Sequence, residues 1–440
     1  MSQSDTIFAP ATPIGGAICM LRVSGAKSAA ALFALSNQKL SEHPRRMTRV
    51  RLIMDGRQLD DAMAVYYPAP GSYTGEDMAE VFCHGGPAVV RAVQNALISL
   101  GLRPAEPGEF TRRAFLNGKM DLVEAEAVMD LIQSTAERAA DAAMEQLQGR
   151  LSREITNVET LLTEALSGVS AAIDYPEELE EDVFSALPGQ LIEAENALSA
   201  LIAQGKTGRV LREGFRVALA GRPNSGKSSL MNALLGYPRA IVTPKAGTTR
   251  DVLEEQLSLD GIPVRLSDTA GLREAEDEAE REGVSRAFAA MQQADLVLLL
   301  LDGSVPLTAQ DRSLLEETRN IRRILLRTKA DLPAAWGPDA LLKKEEVLPV
   351  SANTGEGLGA LADAVRLAAG PVSGAYVTNA RHVSALEEAL GFLKSAQNAP
   401  EPDCMATDLR GALLALGSIT GKAVDETVIG RIFERFCVGK

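Results

Sequence analysis

At 440 residues, with 46% hydrophobic and 24% charged positions, the chain has the length for two to four domains and the composition of a globular protein. No run of about 18 apolar residues occurs, so no membrane span is expected, and the opening MSQSDTIFAPATP lacks the basic stretch and apolar core of a secretory signal. The net charge of −14 disfavours non-specific binding to polyphosphate, so an RNA ligand would need a local basic patch or a more basic partner.

Residues 1–118 read as an α+β domain. Two strand-like runs, 50–54 and 59–66, flank Asp55-Gly56, a two-residue hairpin signal. The stretches SYTGEDMAEVFCHGGP and RPAEPGEFTRRAFLNGK, punctuated by glycine and proline, predict ordered loops rather than long helices. Residues 119–209 change texture and become rich in Ala, Glu and Leu. The apolar positions Leu151, Ile155, Val158, Leu162 and Leu166 fall at helical spacing and predict the core stripe of a helical bundle.

Residues 210–371 alternate strand, loop and helix, the pattern of a parallel α/β sheet. Apolar runs at 217–220, 264–266, 296–301, 324–326 and 347–350 each end at a glycine or a polar motif, and Asp260-Gly261 predicts a hairpin that adds one antiparallel strand. Helical texture returns over 372–440. The simplest arrangement is a P-loop domain inserted into a helical domain, behind the N-terminal α+β domain. The four cysteines, Cys19, Cys83, Cys404 and Cys437, show no CxxC spacing, which speaks against a zinc site and a disulfide framework. A cytoplasmic protein is expected.

The inserted domain carries the chemistry. GRPNSGKS, residues 221–228, fits GxxxxGK[ST] between a strand and the helical run SLMNALL. Its glycines let backbone N–H groups of Asn224, Ser225 and Gly226 close on phosphates, Lys227 neutralises their charge, Ser228 offers a Mg²⁺ ligand, and Ser229 continues the helix. AGTTRD supplies a mobile loop in which Thr249 is the second Mg²⁺ ligand. Around it Thr243, Pro244, Lys245, Ala246, Gly247 and Thr248 complete a nucleotide-contacting segment. In DTAGL, Asp268 reaches the metal through water and Gly271 meets the γ-phosphate, with Thr269 and Ala270 between them.

TKAD, with Thr328, Lys329 and Asp331, and SAN, with Ser351, Ala352 and Asn353, each follow an apolar strand. Asp331 accepts from the guanine N1–H and exocyclic amine, so the nucleotide is expected to be GTP or GDP. Thr328 stands where asparagine is usual; it keeps a hydroxyl and loses the amide, which predicts lower affinity. Leu272 stands where many regulatory GTPases have the water-orienting glutamine and offers no polar atom, so another group must do that work.

With these motifs, and from DTI near the start to CVGK at the end, the chain resembles the MnmE (TrmE) family of tRNA-modifying GTPases over its whole length. The resemblance implies a folate-binding N-terminal domain that dimerises, a helical domain and an inserted G domain. It implies action with an FAD-dependent partner, MnmG, in a heterotetramer that places a carboxymethylaminomethyl or aminomethyl group on C5 of the wobble uridine of certain tRNAs, using a 5-formyl- or methylene-tetrahydrofolate. The family's folate contacts fall on Arg22, Glu80, Lys119 and Lys440. Cations suit the glutamate tail of a folate, and a carboxylate suits the pterin's amino-pyrimidine donors.

The family also assigns function to a cysteine at the position of Cys437, and it gives the task of Leu272 to a glutamate at the position of Glu280. It places K⁺, where other GTPases put an arginine finger, against the Asn224 side-chain oxygen and the backbone carbonyls around Thr243, Lys245 and Thr248. Arg250 and Arg273 are the internal alternatives for that charge. The G motifs by themselves also fit a ribosome-assembly or signalling switch; the N-terminal domain and the CVGK tail separate the two readings.

Overall fold

A computed structural model describes residues 5–238, 240–242, 254–268, 288–336, 346–370, 374 and 376–440. Chain contacts divide it into two units, Met1–Met129 with Leu414–Lys440, and Asp130–Leu413.

The first unit is built on strands β1 (Ile7–Pro10), β2 (Ile18–Ser24), β3 (Thr48–Met54), β4 (Arg57–Tyr67), β5 (Met78–His84) and β6 (Arg103–Pro104), in the order β3-β4-β5-β2-β1-β6. All neighbours are antiparallel except β1 and β6. The predicted hairpin forms at Asp55 and Gly56, whose φ values of 50° and 77° supply the two left-handed positions of a type I′ turn. Period-two alternation then sorts the side chains. Leu21, Val23, Val50, Leu52, Ala62, Ala64, Ala79 and Val81 pack with helices Ser28–Ser36 and Pro87–Ser99. The alternate positions Arg22 and Glu80 are register partners on the other face. Cys19 and Cys83 also face each other across β2 and β5; both are buried and free, and burial pushes the Cys83 thiol up to about 11, which makes it inert.

The C-terminal segment joins this unit. Ile429, Phe433 and Phe436, on and after helix Glu426–Phe433, share an apolar cluster with Leu122, Ala125 and Met129. The helical texture of the sequence assigns all of 372–440 to the helical domain. By packing, Leu414–Lys440 groups with Met1–Met129, and the cluster ties it to Leu122, Ala125 and Met129, which the same texture places at the start of that helical domain.

In the second unit, helix Arg150–Asp174 buries Leu151, Ile155, Val158, Leu162, Ala165, Val169 and Ala172. The stripe departs from the expected one at its end. Ala165 is buried and Leu166 only partly so, because spacings alternating between four and three keep a seam on one face, whereas two consecutive fours rotate off it.

The sheet comprises β7 (Phe215–Ala220), β8 (Ala240–Val242), β9 (Glu254–Leu259), β10 (Ile262–Asp268), β11 (Leu296–Asp302), β12 (Arg323–Thr328) and β13 (Val347–Val350), in the order β13-β12-β11-β7-β10-β9-β8. Strands β13, β12, β11, β7 and β10 are parallel, and β9 runs antiparallel to β10 across the Asp260-Gly261 turn, as the dipeptide predicts. All seven residues of β11 are buried, as in a sheet covered on both faces. Chain order leaves β7 in opposite directions, toward β10 on one side and β11 on the other. That reversal makes the carboxyl ends of these strands the crevice where α/β sheets bind ligands.

Candidate functional site

Four loops leave the carboxyl ends of β7, β10, β12 and β13, and each carries a motif. After β7 the chain turns at Gly221, whose φ of 155° and crowding admit only glycine: a Cβ there would lie 2.6 Å from Ser225 Oγ and 2.7 Å from the Leu300 carbonyl oxygen. Asn224 (φ 62°) and Gly226 (φ 96°) continue the curl into helix Lys227–Leu235. The N–H groups at that helix start and its dipole are suited to an anion. Lys227 is buried and its Nζ donates to the carbonyl oxygens of Gly221 and Arg222 at 2.9 Å, which fixes the cation inside the loop. Ser225 is fully buried, and its Oγ has no hydrogen-bond partner among the described residues. A glycine cradle, a caged cation and an orphaned hydroxyl fit the phosphates of a nucleotide.

Asp268 ends β10 and accepts a hydrogen bond from Ser228 Oγ at 3.3 Å. A hydroxyl and a carboxylate oxygen are the hard donors that Mg²⁺ takes. Ser228 would ligate it, Asp268 would reach it through water, and the chemistry it would supply there is neutralisation of phosphate charge.

The TKAD loop follows β12. Thr328 is buried and donates from Oγ1 to the Ser225 carbonyl oxygen at 2.7 Å, with the Leu301 carbonyl oxygen at 3.2 Å. The hydroxyl therefore keeps the tie to the P-loop, with one proton where an amide has two. Lys329 takes a left-handed φ of 55°. Asp331 accepts from Ser351 Oγ at 2.6 Å, and that bond, followed by backbone and Asn353 bonds, holds its carboxyl below the usual range. An ionised carboxylate accepts only, as the guanine N1–H and amine require.

Of the remaining nucleotide expectations, Thr243, Pro244, Lys245, Ala246, Gly247, Thr248, Thr249, Thr269, Ala270, Gly271, Leu272 and Glu280 lie outside the described residues.

In the first unit the structure joins Arg22 and Glu80. The Arg22 Nε and Nη2 both donate to Glu80 Oε1 at 3.0 Å, and Tyr67 Oη reaches Oε2 at 3.4 Å. Both ions are only 9% exposed, so neither is a solvated surface charge. The guanidinium lies 5.1 Å from the Tyr73 ring centroid and 5.8 Å from that of Phe110. The tail threads into this cluster. Val438 bridges Pro107, and the Gly439 backbone passes so close to Pro10 that a Cβ would lie 2.1 Å from its carbonyl oxygen. Lys440 is thereby brought within electrostatic reach: burial first, then Arg22, lowers its ammonium pKa, while Glu80 and Cys437 oppose the shift. Cys437 is exposed, and its carbonyl oxygen accepts from the Gly108 N–H at 3.4 Å.

Lys119 stands apart from the Arg22–Glu80 pair in its bonding. It is exposed, its Nζ donates to the Pro70 carbonyl oxygen at 3.1 Å, and its stem packs on Gly75. Tyr73 and Phe110 were not singled out from sequence. Their only signal was membership of the two glycine-punctuated stretches expected as loops, of which the structure makes Met78–His84 a strand and Glu109–Leu116, with Phe110, a helix.

Two family profiles match the chain: one described as GTP-binding protein TrmE N-terminus over residues 6–119, the other as MnmE helical domain over 122–437. Among relatives, a tRNA modification GTPase MnmE of Thermus thermophilus is 45% identical, with all of both chains covered. That of Heliobacterium modesticaldum is 41% identical, with 99% of each covered. Among solved structures, the G domain of the T. maritima FeoB iron transporter is 32% identical over 35% of this chain and 98% of its own, with a TM-score of 0.26. By profiles that together run from residue 6 to 437, and by relatives matched end to end, the chain belongs to the MnmE (TrmE) family.

Proposed function

We propose that this protein is the GTP-hydrolysing component of an enzyme that modifies C5 of the wobble uridine in certain tRNAs. It adds a carboxymethylaminomethyl or aminomethyl group from a folate one-carbon unit, as a cytoplasmic homodimer together with an FAD-dependent MnmG-type partner. GTPase action in tRNA modification follows from the family and from the guanine-nucleotide motifs. The finer chemistry rests on one observation: the tail bearing Cys437 and Lys440 is bound into the N-terminal sheet that carries Arg22 and Glu80.

In this reading Arg22, Glu80, Lys119 and Lys440 hold the folate. The partly compensated charge of Arg22 orients its glutamate tail together with the lysines, and Cys437 stands at the exposed mouth. In the G domain Lys227 and the P-loop amides bind phosphate oxygens, Ser228 and Thr249 hold Mg²⁺, and Asp331 reads guanine. Glu280 orients the attacking water in place of Leu272. Asn224, Thr243, Lys245 and Thr248 receive K⁺, so hydrolysis is faster in K⁺ than in Na⁺. The acidic chain leaves most phosphate contacts of the tRNA to the partner.

Nucleoside mass spectrometry of tRNA from a strain lacking this protein tests the proposal. Loss of the C5 substituent is expected, and unchanged wobble uridines would overturn it. Complementation with Cys437→Ser should leave the uridines unmodified, while the purified variant hydrolyses GTP near the wild-type rate. Restored modification would make Cys437 a structural residue only.

A further inference from the structure

Thr328 leaves the pocket with a fastening problem. The base-reading loop must be held against the P-loop, and a side-chain amide at 328 would do so with two N–H donors and a carbonyl. The threonine hydroxyl has one proton, which the Ser225 carbonyl oxygen takes at 2.7 Å.

Next to Thr328 in the sheet lies Asp302, its register partner at the end of β11. Asp302 is 4% exposed. Its two oxygens are divided between tasks. Oδ1 accepts from the Ser304 N–H at 2.9 Å and from the Ser304 hydroxyl at 2.6 Å, which fixes the carboxylate plane. Oδ2 accepts from Lys329 Nζ at 2.7 Å and lies 3.5 Å from Nη2 of Arg222. Arg222 belongs to the P-loop, where it also lies 3.4 Å from the buried Asp311, and Lys329 belongs to the guanine loop. One carboxylate oxygen thus meets a cation from each of the two loops that must stay in register. Burial opposes the charge on Asp302, yet Lys329 and Ser304 hold its carboxyl below the usual range, so the group is ionised in this role.

We propose that Asp302 is a positioning residue for guanine-nucleotide binding: it joins the P-loop, through Arg222, to the guanine loop, through Lys329, and supplies the second tie that a hydroxyl at position 328 cannot. The reading rests on guanine recognition by Asp331. It predicts that the importance of Asp302 depends on what stands at 328, a coupling that a merely structural aspartate would not show.

The test is the affinity of the full-length chain for a fluorescent GDP in Mg²⁺, for the wild type, Asp302→Asn, Thr328→Asn and the double variant. Because the Lys329 side chain is 38% exposed and the bridge is partly screened, Asp302→Asn should weaken GDP binding about ten-fold and not by orders of magnitude more. Thr328→Asn alone should tighten binding, and in its background Asp302→Asn should cost no more than about three-fold. The GDP-over-IDP preference, which depends on the exocyclic amine, should fall with Asp302→Asn and return in the double variant. Arg222→Gln cuts only the P-loop arm; it should give a smaller loss that Thr328→Asn likewise suppresses, and it carries the test by the same criteria if Asp302→Asn does not fold. Equal affinities for Asp302→Asn and wild type, or equal fold losses in both backgrounds, would overturn the proposal. A wild type that fails to bind GDP would instead remove the guanine reading beneath it.

Discussion

The guanine pocket and the Arg22 cluster are built by opposite strategies. The pocket takes its donors from short contiguous motifs at strand ends, with backbone N–H groups and one caged lysine as the principal actors. The Arg22 cluster has no contiguous motif: its members come from positions 22, 73, 80, 110 and 440 and meet through strand register and a docked tail. A site made largely of backbone is concentrated in one loop and fails when a glycine or the caged lysine of that loop is lost. A site made of distant side chains fails when any segment that delivers one is displaced.

Substitutions aimed at one site and read at both can break this contrast. The largest effect should come from Lys227→Ala, which removes the only cation caged by the Gly221 and Arg222 carbonyl oxygens among the described residues of the loop. GTP hydrolysis should fall by about a hundred-fold or more, as when a preorganised donor to a developing charge is lost, while folate affinity by calorimetry stays unchanged. A parallel loss of folate binding would show that the sites are not separate units.

Gly439→Ala should do the converse. Its φ of 98° and the 2.1 Å approach of a Cβ to Pro10 leave no room, so the tail must lift and take Lys440 with it. Folate affinity should drop by about ten-fold or more, the worth of a lost charge-assisted contact, with GTP hydrolysis near wild type. Unchanged folate binding would remove Lys440 from the site.

A third substitution, read in stability, sharpens the comparison within the first unit. The loop bearing Tyr73 is held by Glu76, which accepts from Arg113 at 3.0 Å, and Arg113 in turn donates to Glu109 at 2.9 Å. Burial raises the Glu109 pKa, but Arg103, the Glu106 N–H and Arg113 together outweigh it and leave the carboxyl below its usual value. A folded-state pKa below the unfolded one contributes stability above the unfolded carboxylate range and loses it as the pH falls through the folded value. Glu109→Gln should therefore cost about 2–3 kcal/mol at neutral pH, the worth of charged hydrogen bonds lost from Arg103 and Arg113. The loss should shrink toward acid. Thermal melts from pH 7 to 3 check this, and a pH-independent loss would mean that Glu109 acts by packing alone.

The legible parts of the molecule were those governed by local rules. The Asp55-Gly56 and Asp260-Gly261 turns, the P-loop between strand and helix, and the motifs TKAD and SAN could be read because each is a short segment whose conformation is fixed by its own residues. The helical stripe was legible as far as Leu162 and drifted after it, because the seam depends on what the helix packs against. Arg22, Glu80, Lys119, Lys440 and Cys437 came from family resemblance, since a charged residue in an α+β segment carries no local sign of its partners.

By itself, the sequence carried the nucleotide motifs: the GRPNSGKS loop with its hydroxyl at Ser228, and TKAD with its carboxylate at Asp331, each a short run of residues close in the chain. Tertiary structure decided the rest. It paired Arg22 with Glu80 through the antiparallel register of β2 and β5, brought the last residue beside them by an aromatic cluster and a glycine contact, and set Asp302 next to Thr328 across β11 and β12. Those decisions rest on contacts between residues tens to hundreds of positions apart, whose free energy comes from burial and register and leaves no mark on neighbouring residues in the chain.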